Sequence, residues 1–113
     1  MGIWSFFTRR RTARYVAQTA ADVAQRSYSS VMDRVRRRAT TMRVSEARGY
    51  VRSRALEIVH REMAGLHQGP IKLTPELQTE IISRATESLV VRILAELRSV
   101  PKAAVKTAPR KAA

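Results

Sequence analysis

The sequence predicts an all-α protein: a long, kinked, basic N-terminal helical arm followed by a helical hairpin that packs with partner subunits. Three observations carry this reading. No Pro or Gly interrupts Thr12 to Met42, while apolar residues recur there at helical spacing. Thr74-Pro75-Glu76 is a strong helix start that opens onto a long apolar stripe. Between Arg34 and Arg54 stand eight arginines (34, 36, 37, 38, 43, 48, 52, 54) against one acid, Glu46.

The first element, MGIWSFFT, is apolar and aromatic and leads into Arg9-Arg10-Arg11. It is too short to span a bilayer. Phe6 occupies the position where a myristoylation pattern requires Ser or Thr. The acid-free stretch 1–21 also has the composition of a targeting presequence. We read the segment as an anchor into a neighbouring subunit or, as the alternative, into a lipid envelope.

The second element runs from Thr12 to Met42 and would be about 45 Å long at 1.5 Å per residue. That is longer than a small domain is wide, so the helix should project, wrap or pair with another chain. With Arg34 set at zero and about 100° per residue, Val16, Ala20, Val23, Val31, Val35, Ala39 and Met42 fall in one sector from roughly 340° to 140°. Val44, Ala47, Val51, Ala55, Ile58, Val59 and Leu66 fall between roughly 220° and 340°. A straight helix cannot serve one core through that swing. Either the helix breaks near 42–46, with Ser45 as N-cap and Glu46 in a new first turn, or a continuous helix gives opposite faces to different neighbours.

A further helix over about 46–66 contains Gly49, which marks a bend or a close backbone approach. Residues 67–74 form a loop. The helix from Pro75 carries Leu77, Ile81, Ala85, Leu89, Ile93 and Leu97 along one face, read as the subunit-packing face, and should end before Pro101. Residues 101–113 are basic, low in complexity and disordered on their own. The organisation is therefore a basic arm with an apolar anchor (1–54), a packing body (55–100) and a basic tail (101–113).

Charge follows the same division. The chain carries +13 overall. Residues 1–54 hold thirteen arginines against Asp22, Asp33 and Glu46, net +10; residues 55–100 are net −1; the tail is +4. A merely solvated surface mixes both signs, whereas this distribution suits a chain that packs with one part and neutralises phosphate with others. Cysteine is absent, which excludes disulfides, thiolate metal sites and cysteine nucleophiles. Asparagine is absent too, and Arg exceeds Lys eighteen to four, which points to a thermophile or a GC-rich genome.

Catalytic chemistry finds little footing. His60 and His67 lack a third ligand and imply no metal site. Glu57, Glu62, Glu76, Glu80 and Glu87 are better partners for Arg61 and Arg84 on solvated faces than acid–base pairs. No phosphate-binding glycine loop or nucleophile motif occurs, and no cofactor is expected.

Binding to nucleic acid has positive support, because arginine offers planar, bidentate donors to phosphate oxygens. On one continuous helix, positions 34, 37/38, 48 and 52 lie near one line and 36, 43, 54 and 61 on the other side, giving two rails of charge. With few Asn or Gln to read base edges, contacts should be sequence-independent. The candidate contacts are Arg9, Arg10, Arg11, Arg14, Arg34, Arg36, Arg37, Arg38, Arg43, Arg48, Arg52 and Arg54. If about eight of them each neutralise a phosphate, log affinity falls against log salt with a slope near −7.

Residues 56–99, with Leu66-His67-Gln68-Gly69-Pro70-Ile71-Lys72-Leu73-Thr74-Pro75 leading into a long helix, resemble the first helix, loop and central helix of a histone fold, although Pro101 stands where a third helix would begin. The whole chain, in architecture, is similar to the major coat proteins of filamentous and rod-shaped archaeal double-stranded DNA viruses. That resemblance implies a homo- or hetero-dimer coating double-stranded DNA in a virion. The alternatives are a cytoplasmic nucleoprotein, such as a ribosomal or other ribonucleoprotein subunit, and a peripheral membrane-surface protein using Trp4, Phe6 and Phe7. A small core and self-repelling arginines further suggest a monomer that is partly unfolded until nucleic acid binds.

Overall fold

In the computed structural model the chain forms three helices, α1 (Gly2–Ala39), α2 (Val44–Ala64) and α3 (Pro75–Ala112). The structure describes residues 2–66 and 72–112, with side chains described over 8–66 and 72–99. The described backbone is helical apart from short connections.

The swing of the apolar stripe is resolved by a break. Thr40 and Thr41 donate their hydroxyls to the carbonyls of Arg37 (3.0 Å) and Arg38 (2.8 Å). The Thr41 and Met42 amides bond back to Arg38 and Ala39 at 3.1 and 3.2 Å. These i→i+3 bonds satisfy the last carbonyls of α1 and end it. Arg43 then adopts an extended conformation (φ −66°, ψ 157°) and α2 begins at Val44. Ser45, the expected N-cap, is instead the second residue of α2, and Arg43 occupies the cap position with no side-chain bond to the first turn. Glu46 does stand in that turn.

The chain reverses at this break. The Tyr50 hydroxyl donates to the Arg34 carbonyl at 3.4 Å, and Arg34 reaches Glu57 at 3.9 Å, so α2 runs back along α1. The pairing of Arg52 with Glu87, and the groove shared by His60 and Thr79, set α3 antiparallel to α2. Thus α1 and α3 are parallel: Val16 lies beside Leu77, Gln25 bonds Arg92, and Ala39 lies beside Leu97. The result is an up-down-up bundle in a molecule whose overall extents are 70 × 24 × 24 Å.

A reversal between 40 and 43 turns two opposed stripes toward one interior. Val16, Val23, Val31 and Val35 of α1, Val51, Ala55 and Val59 of α2, and Ile81, Leu89 and Ile93 of α3 are all buried in a single core. Two expectations are corrected by this. Over residues 16–39 the N-terminal helix is a core helix rather than a projecting arm. The face Ile81, Ala85, Leu89, Ile93 and Leu97, assigned to subunit packing, is buried within the chain itself, with Leu77 half-buried against the same core. Small Ala and Val side chains on α1 and α2 let the backbones approach closely, so one chain closes the core that the sequence left to a partner.

The start of α3 follows its sequence signature. The Leu77 amide donates to Thr74 Oγ1 at 3.2 Å and the Gln78 amide to the Thr74 carbonyl at 2.9 Å, the bonding expected of an N-cap. Its end does not: α3 runs through Pro101 to Ala112. Proline removes one backbone donor and crowds the carbonyl four residues before it, but the Ala- and Lys-rich residues after it favour helix. Gly49 sits inside α2 with a right-handed backbone, and a Cβ there would meet nothing within 4 Å. It marks neither a bend nor a close approach. His67 to Ile71, and the side chains of the N-terminal aromatic segment, lie outside the described residues.

Candidate nucleic-acid interface

The break that builds the core also sorts the arginines. Because the helix is not continuous, the two predicted rails do not exist. Arg34 lies on the edge of α1 facing α2, whereas Arg52 lies on the edge of α2 facing α3 and pairs with Glu87. Arg54 bonds Glu57 at 3.4 Å and lies over the Tyr50 ring at 5.6 Å. These three guanidiniums have anionic partners within the protein. Such half-exposed pairs contribute little to stability, but they occupy cations that would otherwise face a ligand.

Arg36, Arg37, Arg38, Arg43 and Arg48 are exposed and form no ion pair among the described residues. All five surround the α1–α2 turn. Arg36 to Arg38 fill the last turn of α1, where they meet the negative end of the helix dipole. That end amounts to about half an elementary charge, too little to balance three guanidiniums. Arg43 stands at the positive end of the α2 dipole, with only Glu46 nearby in that turn to compensate. Asp33, Arg36, Arg37 and Thr40 line a recess of about 400 Å³ beside the turn. The turn offers an oxyanion flexible planar donors, with Asp33 as the carboxylate at the recess, and the uncapped amides at the start of α2 stand close by in the chain.

Arg9, Arg11 and Arg14 stand exposed in the N-terminal third of α1, with no acidic partner among the described residues, and Arg10 is exposed beside them. Arg9 borders a cleft of about 550 Å³ with Thr12, Ala13, Val16, Leu77 and Glu80. Sequence reasoning gave all twelve arginines equal weight. What it missed was the set of carboxylates, Glu57 and Glu87, that folding brings to three of them.

Among the described residues no group of three His, Cys, Asp or Glu could hold a metal ion. His60 is exposed on α2, in a groove with Leu56, Ile82 and Thr86. None of the described helices is long and apolar enough to cross a membrane. No protein-family model matches the chain, and no curated protein or solved structure matches it.

Proposed function

We propose that the protein is a structural nucleic-acid-packaging protein that grips the phosphate backbone of duplex DNA without reading its sequence, as a coat or nucleoprotein component. The observation that carries this reading is the group of five exposed, unpaired arginines around the α1–α2 turn. Three of the eight arginines in the original cluster are held by Glu57 and Glu87, which lowers the number free to neutralise phosphate. Assembly with further copies would use surfaces outside the closed core, where, among the described residues, Val44 (60% exposed), Leu56 (40%) and Val91 (59%) are the large apolar side chains open to solvent.

The test is the salt dependence of binding to duplexes of unrelated sequence. Five phosphate contacts give a slope of log affinity on log salt of about −4.5, and Arg36→Gln with Arg37→Gln and Arg38→Gln should flatten it by about 3. A slope near zero would remove the reading, and a strong preference for structured RNA in competition would replace it with a ribonucleoprotein role.

A further inference from the structure

Positive charge is not shared evenly among the three helices. Between residues 8 and 39, α1 carries nine arginines against Asp22 and Asp33, net +7. Helix α2 carries four arginines against three glutamates, net +1, and residues 75–99 of α3 carry three arginines against four glutamates, net −1. A polyanion lying along this molecule is therefore drawn to α1.

Around α1 the arginines divide by direction. Arg34 faces α2, where it reaches Glu57, and Arg9 borders the cleft shared with Leu77 of α3. At about 100° per residue, Arg11, Arg14 and Arg36 fall within about 60° of one another, on the side of the helix opposite the buried Val16, Val23 and Val31. Arg37 joins Arg36 at the recess with Asp33 and Thr40. Arg11, Arg14, Arg36 and Arg37 are all exposed and form no ion pair among the described residues. The outer face of α1 thus presents two pairs of open guanidiniums. From Tyr15 to Met32 the only charged residues are Asp22 and Arg26, which pair with each other at 3.2 Å.

The spacing of the pairs matches a duplex. Arg11 and Arg36 are about 37 Å apart along a helix that rises 1.5 Å per residue. Along a line parallel to the axis of B-form DNA, a given strand comes round once per helical turn, about every 34–36 Å. The two pairs are in step with successive passages of one strand, and long arginine side chains absorb the small difference. Between those passages the second strand crosses a stretch of α1 that carries no uncompensated charge to repel it.

We propose that one duplex lies lengthwise on the outer face of α1 and is gripped twice, at Arg11 and Arg14 and again, one DNA turn away, at Arg36 and Arg37. This rests on the phosphate-binding reading above and deepens it. The partner is a continuous duplex longer than one turn, and the site is a helix face rather than the α1–α2 turn alone.

The experiment measures binding of the full chain to fluorescent duplexes of about 8 and about 20 base pairs, roughly 27 and 68 Å long at 3.4 Å per base pair, over a series of salt concentrations. Only the longer duplex can reach both pairs. The wild-type slope of log affinity on log salt should be steeper on the longer duplex. Arg11→Gln with Arg14→Gln should flatten the slope on the longer duplex by about 2 and leave it unchanged on the shorter, which the arginines of the turn hold. Both side chains are exposed, and circular dichroism checks that the variant keeps its helix. Equal flattening on both lengths overturns the proposal, because Arg11 and Arg14 would then share one compact site with the turn. No flattening on either length overturns it too, because these arginines would then touch no duplex. Both of those results leave the phosphate-binding reading standing, whereas a wild-type slope near zero on both duplexes removes both proposals.

Discussion

The guanidinium of Arg92 lies 4.5 Å from the centre of the Tyr28 ring and donates to Gln25 Oε1 at 3.2 Å, fastening α3 to α1 midway along the bundle. A cation over a partly exposed aromatic face is worth about 0.5–1 kcal/mol. Arg92→Ala should therefore lower stability by about that amount in urea titration and leave duplex affinity unchanged. Lost affinity without lost stability would place Arg92 among the phosphate contacts instead.

Among the described residues two hydroxyls are buried without a partner: Ser27 Oγ and Thr86 Oγ1. A buried polar atom that has lost its water and gained no hydrogen bond costs roughly 1–3 kcal/mol. Thr86→Val keeps the shape and removes the hydroxyl, and Ser27→Ala removes it with a small loss of volume. Each should raise the melting temperature, Thr86→Val the more because it leaves no cavity. A lower melting temperature for Thr86→Val would show that this hydroxyl is satisfied in solution.

Gly49 tests whether α2 needs flexibility. Its backbone is right-handed and the space around its Cα is open. Gly49→Ala should stabilise the protein by about 1 kcal/mol, seen as a melting temperature several degrees higher. A destabilised variant would mean that another chain approaches this backbone.

The closed core also sets an expectation for the free protein. Val16 to Ala39, Ala47 to Val59 and Ile81 to Leu97 bury their apolar side chains against one another without a second chain. Circular dichroism of the purified protein should show these helices already formed, with little gain when duplex DNA is added at low salt. A large gain would restore the coupling of arm folding to binding that repulsion among Arg34, Arg36, Arg37 and Arg38 suggests.

By itself the sequence determined the helical class, the start of α3 at Thr74-Pro75 and the apolar stripe of each helix apart from Val44, which is 60% exposed, because these rest on local periodicity and capping. It also placed a change of buried face near 42–46, within a few residues of the break found at 40–43, but left open whether the helix breaks there or runs on between different neighbours. Tertiary structure decided how that discontinuity is used. Whether the chain kinks and projects or folds back depends on whether α1 and α2 find a shared interior, and that is a property of three helices together. The same reversal selected the candidate site: composition cannot say which arginines are free, because Glu57 and Glu87 reach Arg34, Arg54 and Arg52 across gaps in sequence that only folding closes. A charge is available to a ligand according to its neighbours in space, and for this protein those neighbours paired Arg34, Arg52 and Arg54 and left the arginines around the α1–α2 turn open.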